Sequence, residues 1–273
     1  MSEKPANDAE NTPKPLFPEI REVDNFAALT WLRKGWADFR ACPTASLFYG
    51  LCFVIGGYLM IFSLRDAPEY IAAVITGFVI LGPFLALGLY ELSARRERGE
   101  PCDLRPSLSA CQKNVGNMGV FALLLLVVYL VWARASVVVF AVFYSGAIPS
   151  MGDFLTHVVL TDQIDFLLAY FAVGAIFALI IFAISLISIP LIKDQQMDAI
   201  TAALSSVRAL FMNPGPMIIW AGTIAVLAML GMVTFLLGTL IIGPLLGHAT
   251  WHAYRDLTGT TSADTVKVDR KSH

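Results

Sequence analysis

The sequence predicts an all-α membrane protein: six transmembrane helices arranged as three in–out–in hairpins, each preceded by a cytoplasmic amphipathic segment. Three observations lead there. Of the 273 residues, 57% are apolar and only 15% charged, where a soluble domain carries about 25% charge. Five apolar runs are each about 20 residues or longer, the length that crosses about 30 Å of hydrocarbon. Basic residues collect in alternate connections, as the positive-inside bias requires.

The chain opens on "MSEKPANDAENTPKPLFPEIREVDN", polar, rich in proline and without an apolar h-region. No cleaved signal peptide is expected, and residues 1–24 read as a disordered cytoplasmic tail. The transmembrane domain spans 25–258, and 259–273 reads as a second disordered cytoplasmic tail. The apolar runs are 44–64, 70–92, 117–145, 166–192 and 216–254. The last, about 39 residues long, is nearly twice what one span needs at about 1.5 Å per residue. A split near Leu230-Gly231 gives helices five and six, although no polar residue marks a turn there.

Charge then orients the hairpins. Arg33, Lys34 and Arg40 precede the first helix. Arg95, Arg96, Arg98, Arg105 and Lys113 lie between the second and third. Lys193 and Arg208 follow the fourth, and Arg255, Lys267, Arg270 and Lys271 the sixth. The loop 146–165 has three aspartates, His157 and no Lys or Arg. Both termini are therefore expected in the cytoplasm. Cys42, Cys102 and Cys111 fall on that side, so reduced thiols are expected, and their spacing matches no zinc-ligand pattern. A net charge of −2 leaves no footprint for nucleic acid. The expected partners are the lipid bilayer and other membrane proteins.

One unit recurs. Phe26, Leu29, Leu32, Trp36 and Phe39 follow helical spacing before "ACPTA". Met197, Ile200, Leu204, Val207 and Leu210 do so before "MNPGP", and Leu108, Cys111 and Val115 do so more weakly. Such stripes suit helices lying in the membrane interface or packing under the bundle. The returning helices end in "LGPFLALGLYE", "SIPLIKDQQMD" and "IGPLLGHATWH". Proline inside a helix frees a carbonyl and kinks it. Aligning Pro83, Pro190 and Pro244 puts Leu87, Asp194 and His248 four residues on, and Glu91, Asp198 and His252 eight residues on. His248 and His252 share a helix face. The register thus predicts a polar cluster of His248, His252, Glu91, Asp194 and Asp198 at the cytoplasmic mouth, with neighbouring carboxylates holding the imidazoles near neutral titration and His248 as its deeper member. The plainer alternative leaves these groups at the interface, with Trp251 and Tyr254 in the aromatic belt and Arg255 and Asp256 paired locally.

Arg134 is the other charged anomaly, about 17 residues into the third helix. It must snorkel outward, pair or line a wet cavity, and Asp162 and Asp165 at the outer start of helix four are the partners in reach. Gly243 and Gly247 have the spacing of close helix packing. No phosphate loop, nucleophile elbow, HExxH or dinucleotide fingerprint is present. No cofactor, metal or enzymatic activity is expected. The histidine pair lacks an assigned third ligand.

Together "LGPFLALGLYELSARRERGE" and "GHATWHAYRDL" resemble an uncharacterised bacterial integral membrane family, domain of unknown function 2189 (DUF2189). The resemblance spans roughly residues 25–258 and implies a six-helix inner-membrane protein, with no assigned activity or site residues. Three functional readings follow. The first is a small-solute or ion permease with its pathway along the repeat axis. The second is a non-enzymatic membrane scaffold or assembly factor, and the third a metal-binding membrane protein. The topology has a direct check: reporter fusions after residues 66, 155 and 231 are expected to register the periplasm and one after 260 the cytoplasm.

Overall fold

The computed structural model describes residues 17–66, 71–143 and 164–259. Among these there are helices and no strand. In chain order they are α1 (Ala27–Ala41), α2 (Pro43–Asp66), α3 (Ile71–Glu97), α4 (Leu104–Ser109, continued by a 3-10 turn to Asn114) and α5 (Val115–Phe143). Then come α6 (Ile164–Ser185), α7 (Ser188–Asp194), α8 (Ala199–Met212), α9 (Pro214–Val233) and α10 (Thr239–Thr258). Four segments are long and apolar enough to cross a membrane: Pro43–Ser63, Val115–Phe143, Ile164–Asp194 and Pro214–Val233. α3 has 27 residues and α10 has 20, but the second half of α10 carries His248, His252, Arg255 and Asp256. His157, Asp162 and most of both expected tails lie outside the described residues.

The break inside 216–254 falls later than Leu230-Gly231. α9 runs on to Val233 and closes in a left-handed turn, with Phe235 at φ 52 and Leu236 at φ 65. Leu236 N–H reaches Gly231 O at 3.0 Å and Phe235 N–H reaches Met232 O at 3.0 Å, the paired bonds of a Schellman ending. Thr234 is its polar marker: the hydroxyl donates to Gly231 O at 2.9 Å and accepts from Gly238 N–H at 2.9 Å. Gly231 serves packing, not turning. A Cβ there would lie 2.8 Å from the Thr239 side chain.

The prolines act differently. Pro83 and Pro244 sit inside α3 and α10, whereas at Pro190 the helix breaks outright between Ser185 and Ser188. Ser206 on α8 stitches that break, donating to Ala183 O at 2.6 Å and accepting from Ile187 N–H at 3.3 Å. The repeat shows most clearly at two elbows. Cys42, between α1 and α2, has φ −122 and ψ 51; Asn213, between α8 and α9, has φ −129 and ψ 53. Each precedes a proline, which bars the α region for the residue before it. Before α5 the backbone stays helical at Val115, so the weaker amphipathic stretch makes no such elbow.

α10 is the helix the others lean on. It packs along α1 and against α2, α3 and α9. Trp31, Trp220, Trp251, Tyr254, Leu87 and Phe121 are fully buried or nearly so, and Trp31 meets Trp220 edge-on at 5.6 Å. Away from this core, α5, α6 and α9 present exposed side chains such as Val131, Leu168, Phe171, Val226 and Met229. That is an apolar surface suited to lipid.

Two expectations are corrected. Cys42 and Cys102 are joined in a disulfide, with Cα atoms 5.5 Å apart, so these two thiols are not free. The fold brings together residues 60 apart in sequence, which spacing alone does not reveal. Residues 20–23, within the expected N-terminal tail, are also held against the fold. Ile20 is buried, Arg21 N–H bonds Leu257 O at 2.7 Å, and the Asn213 amide holds Val23 N–H at 2.9 Å and Arg21 O at 3.1 Å.

The α1–α10 contact depends on a glycine. A Cβ on Gly35 would lie 2.8 Å from Ala249 N, against backbone that cannot swing aside. Gly243 and Gly247 similarly admit Phe53 and Leu89, at 2.8 and 2.5 Å from an added Cβ. Gly35→Ala is expected to destabilise the protein by about 1–3 kcal/mol, read as a lowered midpoint of thermal unfolding in detergent. Gly116→Ala, where an added Cβ meets nothing within 4 Å, is expected to leave the midpoint unchanged or raise it.

Candidate functional site

The second half of α10 turns one face into the protein. His248, Trp251, His252 and Arg255 recur at three- and four-residue spacing and so share that face. All four are buried. Buried polar groups must find partners or cost free energy, and here each charge is met by another helix.

Asp38 is the first partner. On α1 the buried positions are Ala28, Trp31, Gly35, Asp38 and Phe39, and Asp38 is the one acid among them. One of its oxygens pairs with Arg96 of α3. The other lies 2.9 Å from His252 Nε2. Burial alone would lift this carboxyl, but His252 foremost, and the Ser93 hydroxyl after it, hold it below its ordinary range. Glu97 of α3 stands 3.8 Å from His252 Nδ1 and accepts from Arg255 Nε at 3.1 Å. Arg255 Nη1 continues to Asp194 at 3.1 Å, which also accepts the Tyr254 hydroxyl at 2.7 Å. Arg255 and Lys193 lie over the Trp251 ring, 4.6 and 4.9 Å from its centroid. Lys193 pairs with Glu91 at 2.8 Å, and Arg98 reaches Glu91 at 3.1 Å. This clasp joins α1, the end of α3, α7 and α10.

His248 stands apart from the carboxylates. Its Nε2 is 2.9 Å from Ser46 Oγ and its Nδ1 is 2.8 Å from Ser93 Oγ. The result is a short hydrogen-bonded series, Ser46, His248, Ser93, beside the Asp38–His252 pair.

The predicted cluster is thus divided. His252, Glu91 and Asp194 enter the clasp. His248 contacts serines in place of acids, so the expected coupling of its charge to Glu91 and Asp194 is replaced by neutral hydrogen bonding. Asp198 leaves the cluster because α7 ends at Asp194. It caps α8, accepting from Thr201 N–H at 2.9 Å and Ile200 N–H at 3.1 Å, and the Thr201 amide foremost holds its carboxyl below the usual range. Arg255 and Asp256 do not pair locally. Asp256 accepts from Trp31 Nε1 at 2.7 Å and meets Lys34 at 3.4 Å. Trp251 and Tyr254 are fully buried and form no interfacial belt. Arg134 and Asp165 are both exposed, and no ion pair joins them among the described residues; Asp162 lies outside these. Also among the described residues, no group of three His, Cys, Asp or Glu side chains is placed to hold a metal ion.

Sequence reasoning passed over Asp38, Ser46, Ser93, Arg96 and Glu97. Asp38 carried a signal: it is ten residues after Ala28 and seven after Trp31, a charge on the apolar face of an amphipathic helix. The serines carried none.

Residues 71–194 match the DUF2189 family, described as a predicted integral membrane protein. The chain is accordingly an integral membrane protein. The match to DUF2189 runs from α3 through α7 and takes in Glu91, Ser93, Arg96, Glu97, Lys193 and Asp194. Asp38 and the α10 motif with both histidines lie outside it. Neither a curated protein nor a solved structure matches the chain.

The clasp predicts an unequal response to mutation. Arg255→Met strands two carboxylates, Asp194 at 4% and Glu97 at 23% side-chain exposure. Leaving a buried charge without its partner costs about 3–5 kcal/mol. Asp198→Ala removes only a helix cap, about 1 kcal/mol. Thermal unfolding in detergent is expected to rank Arg255→Met well below Asp198→Ala.

Proposed function

We propose that this protein is a non-enzymatic scaffold of the bacterial inner membrane, crossing it six times with both termini in the cytoplasm. The observation that carries the reading is the pairing of the clasp. Asp38, Glu91, Glu97 and Asp194 are each met by a base from elsewhere in the fold, so these charges are consumed in holding helices together. A clasp of this kind holds α1 in one place at the membrane face. Four apolar spans among the described residues, the further long helices α3 and α10, and the basic residues near the clasp support the reading.

A second reading, a proton or cation permease, draws on the Ser46–His248–Ser93 hydrogen bonds beside the Asp38–His252 pair. Hydroxyls and an imidazole in series can relay a proton. Proteoliposomes decide between the two. The scaffold reading expects fluxes of protons, potassium and a panel of small neutral and zwitterionic solutes no faster than in protein-free vesicles. Proton flux that disappears in Asp38→Asn and His252→Gln replaces it with the permease.

A further inference from the structure

α1 and α8 each have a second face, turned away from the protein. On α1 it is the line Phe26, Leu29, Arg33, Trp36, Arg40, each three or four residues after the last. Phe26 is 68% exposed and Leu29 66%; Arg33, Trp36 and Arg40 are exposed as well. On α8 the corresponding line is Ile200, Leu204, Arg208 and Phe211, with Phe211 76% exposed. Both lines mix large apolar side chains with arginine, and neither contains an acid. The carboxylates that precede these helices are engaged locally: Asp24 accepts Phe26 N–H at 2.8 Å, and Asp198 caps α8. Among the described residues no ion pair involves Arg33, Arg40 or Arg208. Each helix also runs through the same backbone elbow into an apolar span, α2 or α9. A helix so attached cannot leave the bilayer surface.

We propose that the outer faces of α1 and α8 form a matched pair of interfacial surfaces that bind anionic phospholipid headgroups through Arg33, Arg40 and Arg208, with Phe26, Leu29, Trp36, Leu204 and Phe211 seated among the upper acyl chains. Apolar side chains alone would lie as well in a zwitterionic leaflet. Arginine, whose donors match phosphate oxygens in pairs, supplies the preference for negative charge. Trp36 sits where amphipathic rings collect, at headgroup level. The proposal requires only an integral membrane protein and stands whether or not the scaffold reading does.

The test titrates brominated phosphatidylglycerol or brominated phosphatidylcholine into the full-length protein in neutral detergent. Quenching assigned to Trp36 is taken as the difference between wild type and Trp36→Phe. Wild type is expected to be half-quenched at a lower concentration of the anionic lipid than of the zwitterionic one. Each arginine near an anionic surface contributes about fivefold in affinity. Arg33→Gln/Arg40→Gln/Arg208→Gln should therefore lose the preference by at least tenfold, while Arg105→Gln, exposed on α4, keeps it. The three arginines are exposed and outside the clasp, so the variant is expected to fold, checked by an unchanged unfolding midpoint without lipid. Equal midpoints for the two lipids in wild type, an undiminished preference in the triple variant, or competition by millimolar inorganic phosphate as strong as by lipid would each overturn the proposal.

Discussion

The carboxylate of Asp38 has 3% of its side chain exposed, on the inner face of a helix whose other buried neighbours are Ala28, Trp31, Gly35 and Phe39. An anion there is tolerable only if cations and hydrogen-bond donors surround it. Arg96 from α3 and His252 from α10 do so, with Ser93 behind them. The positions of three helices are thereby coupled: α1 cannot turn about its axis without exposing Asp38 or abandoning it, and α10 cannot slide without losing His252. The remaining ion pairs extend this constraint along the end of α10 to α7.

Close approach is the condition for that pairing. Gly35 lets α1 touch the α10 backbone at Ala249, and Gly243 and Gly247 let α2 and α3 meet the same helix. Lipid exerts no hydrophobic drive between apolar helices, so their association rests on packing and hydrogen bonds. Small residues supply the first here, and the Ser46–His248–Ser93 contacts supply the second from α2 and α3. Trp251 shows how dense the result is. Its ring carries Arg255 on one contact and Lys193 on another, with Tyr90 stacked at 6.2 Å.

The repeat has unequal consequences. The α1–α2 and α8–α9 junctions share an elbow because each places a proline one residue beyond the end of an amphipathic helix, and proline restricts its predecessor wherever it occurs. The proline register in the returning helices is looser. Pro83 and Pro244 remain inside continuous helices, while Pro190 lies beyond a break that Ser206 repairs. Asp198 therefore becomes a helix cap, although its position relative to proline matches those of Glu91 and His252.

Helical class, membrane residence and the apolar runs were legible in the sequence, because each depends on neighbours a few residues apart or on total apolar length. A helix needs only local periodicity, and a span only enough consecutive apolar residues. The clasp was legible in part. His252, Glu91 and Asp194 stood out as charges at helical spacing beside apolar runs, and Asp38 broke an apolar face. Their partners did not stand out. Whether His252 meets Asp38 or Asp198, and whether Arg255 turns to Asp256 next to it or to Glu97 and Asp194 far away, depends on how closely α1, α3, α7 and α10 approach. That distance is decided by glycines and by the packed volume of Trp31, Trp220 and Trp251. Electrostatic pairing falls steeply with separation and with exposure to water. Only the tertiary structure, which sets both, could choose the partners.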